Sequence, residues 1–230
     1  VRKNIEGTLT SLNYGKITSC AYDPIEKKPL YHFYPGSKIL SIGSFGCNFK
    51  CDFCQNWEIA HRKPWLTEME DEDIILMAKS RGSIGIAYTY NEPIVSYEYV
   101  YHMCKLSKEH GLKNVLITNG YINPEPLQKL LPSIDAMNVD LKSIREDYYK
   151  KYCKGRLEPV MNTIRMASKY THVEITNLIV EGLNSTEDEI EELSQWIASI
   201  DRKIPLHLTK YHPAYKMDLP ETSYHILLKA

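Results

Sequence analysis

From Lys38 onward, six short apolar or β-branched runs alternate one for one with segments of helical pattern, and this alternation leaves few folds open. The runs are Lys38–Ile42, Ile84–Thr89, Asn114–Thr118, Ala136–Asp140, His172–Val180 and Pro205–Tyr211. They are nearly continuous in hydrophobicity, as strands covered on both faces of a parallel sheet must be. Parallel neighbours need long right-handed crossovers, and the intervening helices supply them. The expected fold class is α/β, either an open sheet or a six-stranded partial barrel.

The helices carry readable ends. Thr67-Glu68-Met69-Glu70 has the T-x-x-E form of a capping box ahead of an Ile74/Ile75/Ala78 face, and Gly82 stops that helix. Pro93 opens the next and Gly111 closes it, while Asn123 before Pro124 caps a third. A fourth starts at Pro159 and runs to about Tyr170. Ser185-Thr186-Glu187-Asp188 starts a fifth with acids in its first turn, and Pro220 a sixth. Residues 1–37, with Asp23-Pro24, Lys28-Pro29 and Pro35-Gly36, read as an irregular N-terminal extension in front of a 38–230 core domain. The chain starts with Val and its last helix lacks a cap, so both ends read as trimmed.

Charge and hydropathy exclude two classes of partner. Lys+Arg 28 against Asp+Glu 29 leaves a net charge of −1, so no basic footprint for nucleic acid is present. No apolar run approaches the roughly 18 residues of a membrane span, and no secretory signal is visible.

The six cysteines carry the chemistry. A chain of this length does not need disulfide stapling, and Cys47, Cys51 and Cys54 crowd into eight positions as C-x3-C-x2-C. Random placement would give that triple roughly 0.004 times per chain. Three thiolates so close need a cationic centre to offset their charge. Zinc would take a fourth ligand such as His61; a 4Fe–4S cluster on three thiolates would leave one iron open for chemistry.

With Phe53 just before the last cysteine, in the loop after the first strand of a βα series, this motif resembles the radical SAM superfamily. The resemblance implies a radical SAM partial (β/α)6 TIM barrel. It also implies a 4Fe–4S cluster on Cys47, Cys51 and Cys54 whose open iron chelates S-adenosylmethionine (SAM). An electron from the cluster then cleaves SAM to methionine and a 5′-deoxyadenosyl radical, which abstracts hydrogen from a substrate.

The remaining strand ends extend the resemblance to the enzymes that activate pyruvate formate-lyase. Asn91-Glu92 follows the second strand, where that family holds the SAM amino group. Thr118-Asn119-Gly120 and Asp140-Leu141-Lys142 follow the third and fourth, on the ribose and methionyl side. Tyr211-His212 follows the last, with His212 expected near the adenine, as are Phe53 and Gln55. Where those enzymes have an Asp before T-N-G to bind a monovalent cation, this chain has Ile117, so no such site is implied. Tyr31 to Ser37, Cys54-Gln55-Asn56-Trp57-Glu58 and Leu157-Glu158-Pro159-Val160 resemble more closely the AmmeMemoRadiSam-type radical SAM proteins, which are longer at both ends and whose substrate is poorly defined.

Other polar positions call for separate readings. Glu174, Thr176 and Asn177 interrupt the apolar fifth strand, so each must be internally satisfied or face the site. Tyr88, Tyr90 and Tyr121 stand at strand ends, where they either pack or line a pocket. Cys20 and Cys104 read as small core residues. Cys153, flanked by Lys151, Lys154 and Arg156, is the candidate catalytic thiol on the substrate side, in an electropositive setting.

The function expected is that of a radical SAM enzyme acting on a glycyl-radical-type protein, a peptide or a small molecule. Its electron donor is expected to be flavodoxin- or ferredoxin-like, and its location a reducing, cytoplasmic compartment. The competing reading is a non-catalytic zinc- or cluster-bearing scaffold that binds a protein partner.

Overall fold

A computed structural model describes residues 1–230 of the protein. Seven strands form the main sheet: β1 (Ser19–Pro24), β2 (Lys38–Gly43), β3 (Gly85–Tyr88), β4 (Lys113–Thr118), β5 (Ala136–Asp140), β6 (His172–Ile179) and β7 (Leu206–Lys210). They lie side by side in chain order; β2 to β7 are parallel, and β1 pairs antiparallel with β2. The edge strands β1 and β7 do not pair with each other, so the barrel is partial and open on one side.

Helices cover the outside: α1 (Trp57–His61), α2 (Asp71–Ser80), α3 (Tyr97–Glu109), α4 (Pro124–Leu130), α5 (Leu157–Ala167), α6 (Glu187–Ile200) and α7 (Tyr224–Lys229). None is long and apolar enough to cross a membrane. Leu40, Ile86, Leu116, Met137 and Ile175 belong to the large outer core that the helices cover. The alternate residues face inward and are smaller or polar: Ser41, Ala87, Val115 and Ala136 form one row across neighbouring strands. Small inner residues leave the barrel axis room for a cleft.

The N-terminal segment carries strands and a 3-10 turn as far as Lys27, and the stretch from Lys28 to Ser37 is irregular. β1 extends the sheet, because its backbone satisfies the otherwise exposed edge of β2. Residues 25–34 then close the strand-start end of the barrel. Ile25 and Leu30 are fully buried against Ile39, Val115 and Ala136. The Pro29 carbonyl accepts from Asn138 Nδ2 at 2.9 Å.

Several helix ends differ from expectation for identifiable reasons. Thr67-Glu68 does not cap a helix; it pairs antiparallel with Lys16-Ile17, and α2 starts at Asp71 with three acids in its first turn. Pro93 opens a 3-10 turn before α3 begins at Tyr97. The fourth long helix begins at Leu157 rather than Pro159, since a proline within the first turn forfeits no intrahelical bond, and it ends at Ala167. The last begins at Tyr224, behind Ser223, instead of Pro220. A helical turn at Glu146–Tyr148 passing into a π-helix at Tyr149–Cys153 had no periodic signal.

Candidate functional site

A cleft of about 370 Å³ opens at the C-terminal ends of the strands, where parallel barrels gather ligands. Cys47, Cys51 and Cys54 line it, together with Phe53, Gln55, Asn91, Glu92, Thr118, Asn119, Asp140 and Lys142. The strands that end there are far apart in sequence, and only their parallel register brings these side chains together.

The cysteine loop is held by backbone on two sides. Lys50 N donates to the Cys153 carbonyl at 3.0 Å and Asp52 N to the Tyr152 carbonyl at 2.9 Å. Asn91 anchors the loop's entry: its Oδ1 accepts from Ser44 N at 2.8 Å and its Nδ2 donates to the Gly46 carbonyl at 3.1 Å. Asn119 Nδ2 lies 3.6 Å from Cys47 Sγ and 2.8 Å from Asn48 Oδ1. All six cysteines are free. Burial, followed by the Glu92 carboxylate, pushes the Cys47 thiol up to about 12, so it needs a cationic centre to become a thiolate ligand.

No three His, Cys, Asp or Glu side chains converge as a site for a single ion. His61 stacks on Tyr215 with ring centroids 5.3 Å apart, and its buried Nε2 has no partner. His61 lies outside the cleft lining that carries the three thiols. Three thiols along one cleft suit a polynuclear centre in which three irons each take one thiolate.

Glu92 is buried behind this wall, accepting from Thr118 Oγ1 at 2.7 Å, Asn119 N at 2.8 Å and Ile94 N at 3.1 Å. Burial raises it to about 7 against the pull of those donors. Opposite, Lys142 Nζ pairs with Asp140 Oδ2 at 3.0 Å and lies 5.9 Å from the Phe53 ring centre. Burial opposes the lysine's charge, but Asp140 and the neighbouring thiol groups outweigh it and hold the ammonium protonated. The cleft thus offers an ammonium, a carboxylate and an aromatic face beside three thiols, a set able to bind a zwitterionic ligand with an aromatic ring.

Two residues read from the sequence do not join this set. His212 is exposed and its Nδ1 pairs with Glu221 Oε2 at 3.0 Å, outside the cleft lining. Cys153 is fully buried on the π-helix and also lies outside the lining; its flanking Lys151 and Lys154 point to solvent. Within β6, Thr176 does face the cleft. Glu174 instead lies near the closed end, accepting from Tyr31 N, His32 N and the Nε2 atoms of His172 and His207. Asn177 Nδ2 donates to the Leu141 carbonyl at 2.6 Å. Tyr90 lines the cleft, Tyr88 is buried in the outer core, and Tyr121 packs on Phe49. Cys104 is a core residue as expected, and Cys20 is half-buried on β1.

Thr209 and Lys210, at the end of β7, complete the lining and were not anticipated. Alternation along the last strand was the available signal for Thr209, which pairs with Leu178 of the same lining; Lys210, its neighbour on the opposite face, had none. Tyr90 has φ +70, a left-handed conformation that turns the chain sharply out of β3; its hydroxyl donates to Asp23 at 2.6 Å and Lys28 Nζ lies 4.4 Å from its ring centre.

Comparisons with known proteins bear on the family and the fold. The model of the Radical SAM superfamily matches residues 41–197. An uncharacterized protein of Methanocaldococcus jannaschii, MJ0808, is 46% identical over 227 residues, which cover 96% of this chain and 67% of the relative. A pyruvate formate-lyase-activating enzyme of Clostridium pasteurianum is 26% identical, covering 73% of this chain and 72% of that one. The crystal structure of a domain of pyruvate-formate lyase-activating enzyme from Bacteroides vulgatus superposes with a TM-score of 0.55 at 22% identity, covering 63% of this chain and 89% of that one.

Proposed function

The chain belongs to the radical SAM superfamily, and from that premise we propose that Cys47, Cys51 and Cys54 hold a 4Fe–4S cluster and that the adjoining cleft binds SAM. When bound, such a cluster supplies the electron that splits SAM into methionine and a 5′-deoxyadenosyl radical, which takes hydrogen from a substrate. The observation that carries the reading is the assembly of all three thiols and eight residues from four strand ends along one cleft.

The chain's own side chains have distinct tasks in it. Lys142 offers its ammonium to the SAM carboxylate, and Asp140 keeps that ammonium charged and oriented. Glu92, braced by Thr118 and Asn119, presents acceptor capacity to the SAM amino group. Phe53 and Gln55 border the adenine side. Thr176, Leu178, Thr209 and Lys210 face the part of the cleft left for the substrate. The glycyl-radical activating role of related enzymes makes a glycyl-radical-type protein one substrate class, and a small molecule or peptide the other.

Anaerobic reconstitution tests the reading. The protein should take up about four iron and four sulfide per chain and, once reduced, convert SAM to 5′-deoxyadenosine. Cys51→Ala should lose both properties. Zinc in place of iron, or a complete cluster that releases no deoxyadenosine, would overturn it.

A further inference from the structure

The chain turns at Tyr90 in a way its residue type resists. With φ at +70 the backbone sits in the left-handed region, and Asn91 N donates back to the Thr89 carbonyl at 3.0 Å. That bond closes a three-residue turn of the γ kind centred on Tyr90, a strained form when φ is positive. The two residues that leave the turn build the cleft wall. Asn91 bonds Ser44 N and the Gly46 carbonyl at the entry of the cysteine loop. Glu92 N donates to the same Gly46 carbonyl at 3.3 Å, while its carboxylate takes Thr118 and Asn119.

The tyrosine side chain runs the other way, back along β2. It passes over Gly43, where a Cβ would stand 2.9 Å from Tyr90 Cδ2, and its hydroxyl donates to Asp23 Oδ2 at 2.6 Å. Lys28 Nζ donates to that oxygen at 2.7 Å and lies 4.4 Å from the tyrosine ring centre. Lys27 Nζ takes Asp23 Oδ1 at 2.8 Å. Asp23 and Lys28 are both buried, and neither lines the cleft. A buried ion pair adds little net stability, because desolvating two charges offsets their attraction; its use is to fix a geometry. A strained backbone persists only where its surroundings over-determine it, and here a carboxylate and an ammonium grip one phenol.

On the reading that this cleft binds SAM, we propose that Tyr90 is a positioning residue for the SAM amino group. Asp23 and Lys28 hold its hydroxyl, the ring holds the turn, and the turn sets where Asn91 and Glu92 stand against the cysteine loop. The hydroxyl is engaged by Asp23, away from the cleft lining, so its effect on SAM passes through the turn. The N-terminal segment thereby supports the site from beneath without touching its ligand.

The test compares wild type, Tyr90→Phe, Asp23→Asn and the double variant, all reconstituted anaerobically, with SAM affinity measured by equilibrium dialysis before reduction. Tyr90→Phe keeps the ring and removes the hydroxyl. It should bind SAM about 10-fold more weakly, the scale of one misaligned charge-assisted hydrogen bond, with iron and sulfide content unchanged. After reduction, KM for SAM should rise by the same factor while kcat for deoxyadenosine formation moves less than about 2-fold. Asp23→Asn should also weaken binding, and the double variant no more than the weaker single, because two groups acting through one contact do not add. Glu174→Gln, a lesion at the closed end, should leave SAM affinity as in wild type. Tyr90→Phe decides the matter alone where Asp23→Asn does not fold. Wild-type affinity in Tyr90→Phe, or additive losses in the double variant, would overturn this role while leaving the SAM reading intact. A wild-type protein with a full cluster that binds no SAM would overturn that reading and this role with it.

Discussion

Thr118 donates its hydroxyl to Glu92 Oε1 at 2.7 Å, joining the end of β4 to the turn that follows β3. The backbone N–H groups of Asn119 and Ile94 complete the shell around the same carboxylate. The cleft wall beside Cys47 is thereby held by a group that is itself fully desolvated.

Glu92 should give the protein a pH-dependent stability near neutrality. Burial, opposed by its three donors, raises it from 4.5 to about 7. A carboxyl raised on folding stabilises the fold fully below its unfolded value, and that contribution is lost as pH rises through the folded one. Glu92→Gln should remove this decline between about pH 5 and pH 8. It should also cost about 1–3 kcal/mol, because the amide turns an N–H toward a buried donor. Urea denaturation of both proteins across that range checks it.

Glu174 should have the opposite dependence. Burial would raise it, but the imidazole of His172, the N–H of His32, the imidazole of His207 and the N–H of Tyr31 together bring it down to about 2. Its contribution is therefore present above about pH 4.5 and lost as pH falls toward 2. Glu174→Ala strands two imidazoles and two N–H groups and should cost about 3–5 kcal/mol. Glu174→Gln should flatten the acid limb of the stability curve, as followed by circular dichroism.

The two buried cysteines at the loop should separate in their effects. Cys51 faces the cleft, whereas Cys153 lies beside it on the π-helix with no exposed surface. Cys153→Ala should keep its iron and its deoxyadenosine formation and lose about 1 kcal/mol from the small cavity. Cys51→Ala should lose the iron. Iron analysis and thermal denaturation distinguish these outcomes, and a Cys153→Ala protein that binds a full cluster yet makes no deoxyadenosine would restore Cys153 to a catalytic role.

Gly155 should tolerate no side chain. A Cβ there would stand 2.3 Å from Phe49 Cε1, inside the loop that carries the thiols. Gly155→Ala should cost about 1–3 kcal/mol by overpacking and lower iron retention by displacing Phe49. Phe49→Leu in the same background should recover part of both.

The sequence alone determined what is local. Apolar runs of strand length, helix stops such as Gly82 and Gly111, and the spacing of Cys47, Cys51 and Cys54 follow from short-range sterics and chain geometry; the six strands fall where those runs lie, and the three thiols line one cleft. The T-x-x-E string at Thr67 misled because a cap and a short strand compete for the same backbone, and Lys16-Ile17 decided the contest from fifty residues away. Which face of each strand turned inward, and so the meeting of Glu92 with Thr118 and the entry of Thr209 and Lys210 into the cleft, depended on register between strands. The exclusion of Cys153 and His212 was equally non-local: packing of the π-helix buried one, and Glu221 held the other at the surface. Side chains separated by dozens of residues meet only when burial of the whole sheet and its helices outweighs the entropy of ordering the chain between them, and that balance is struck by the tertiary structure as a unit.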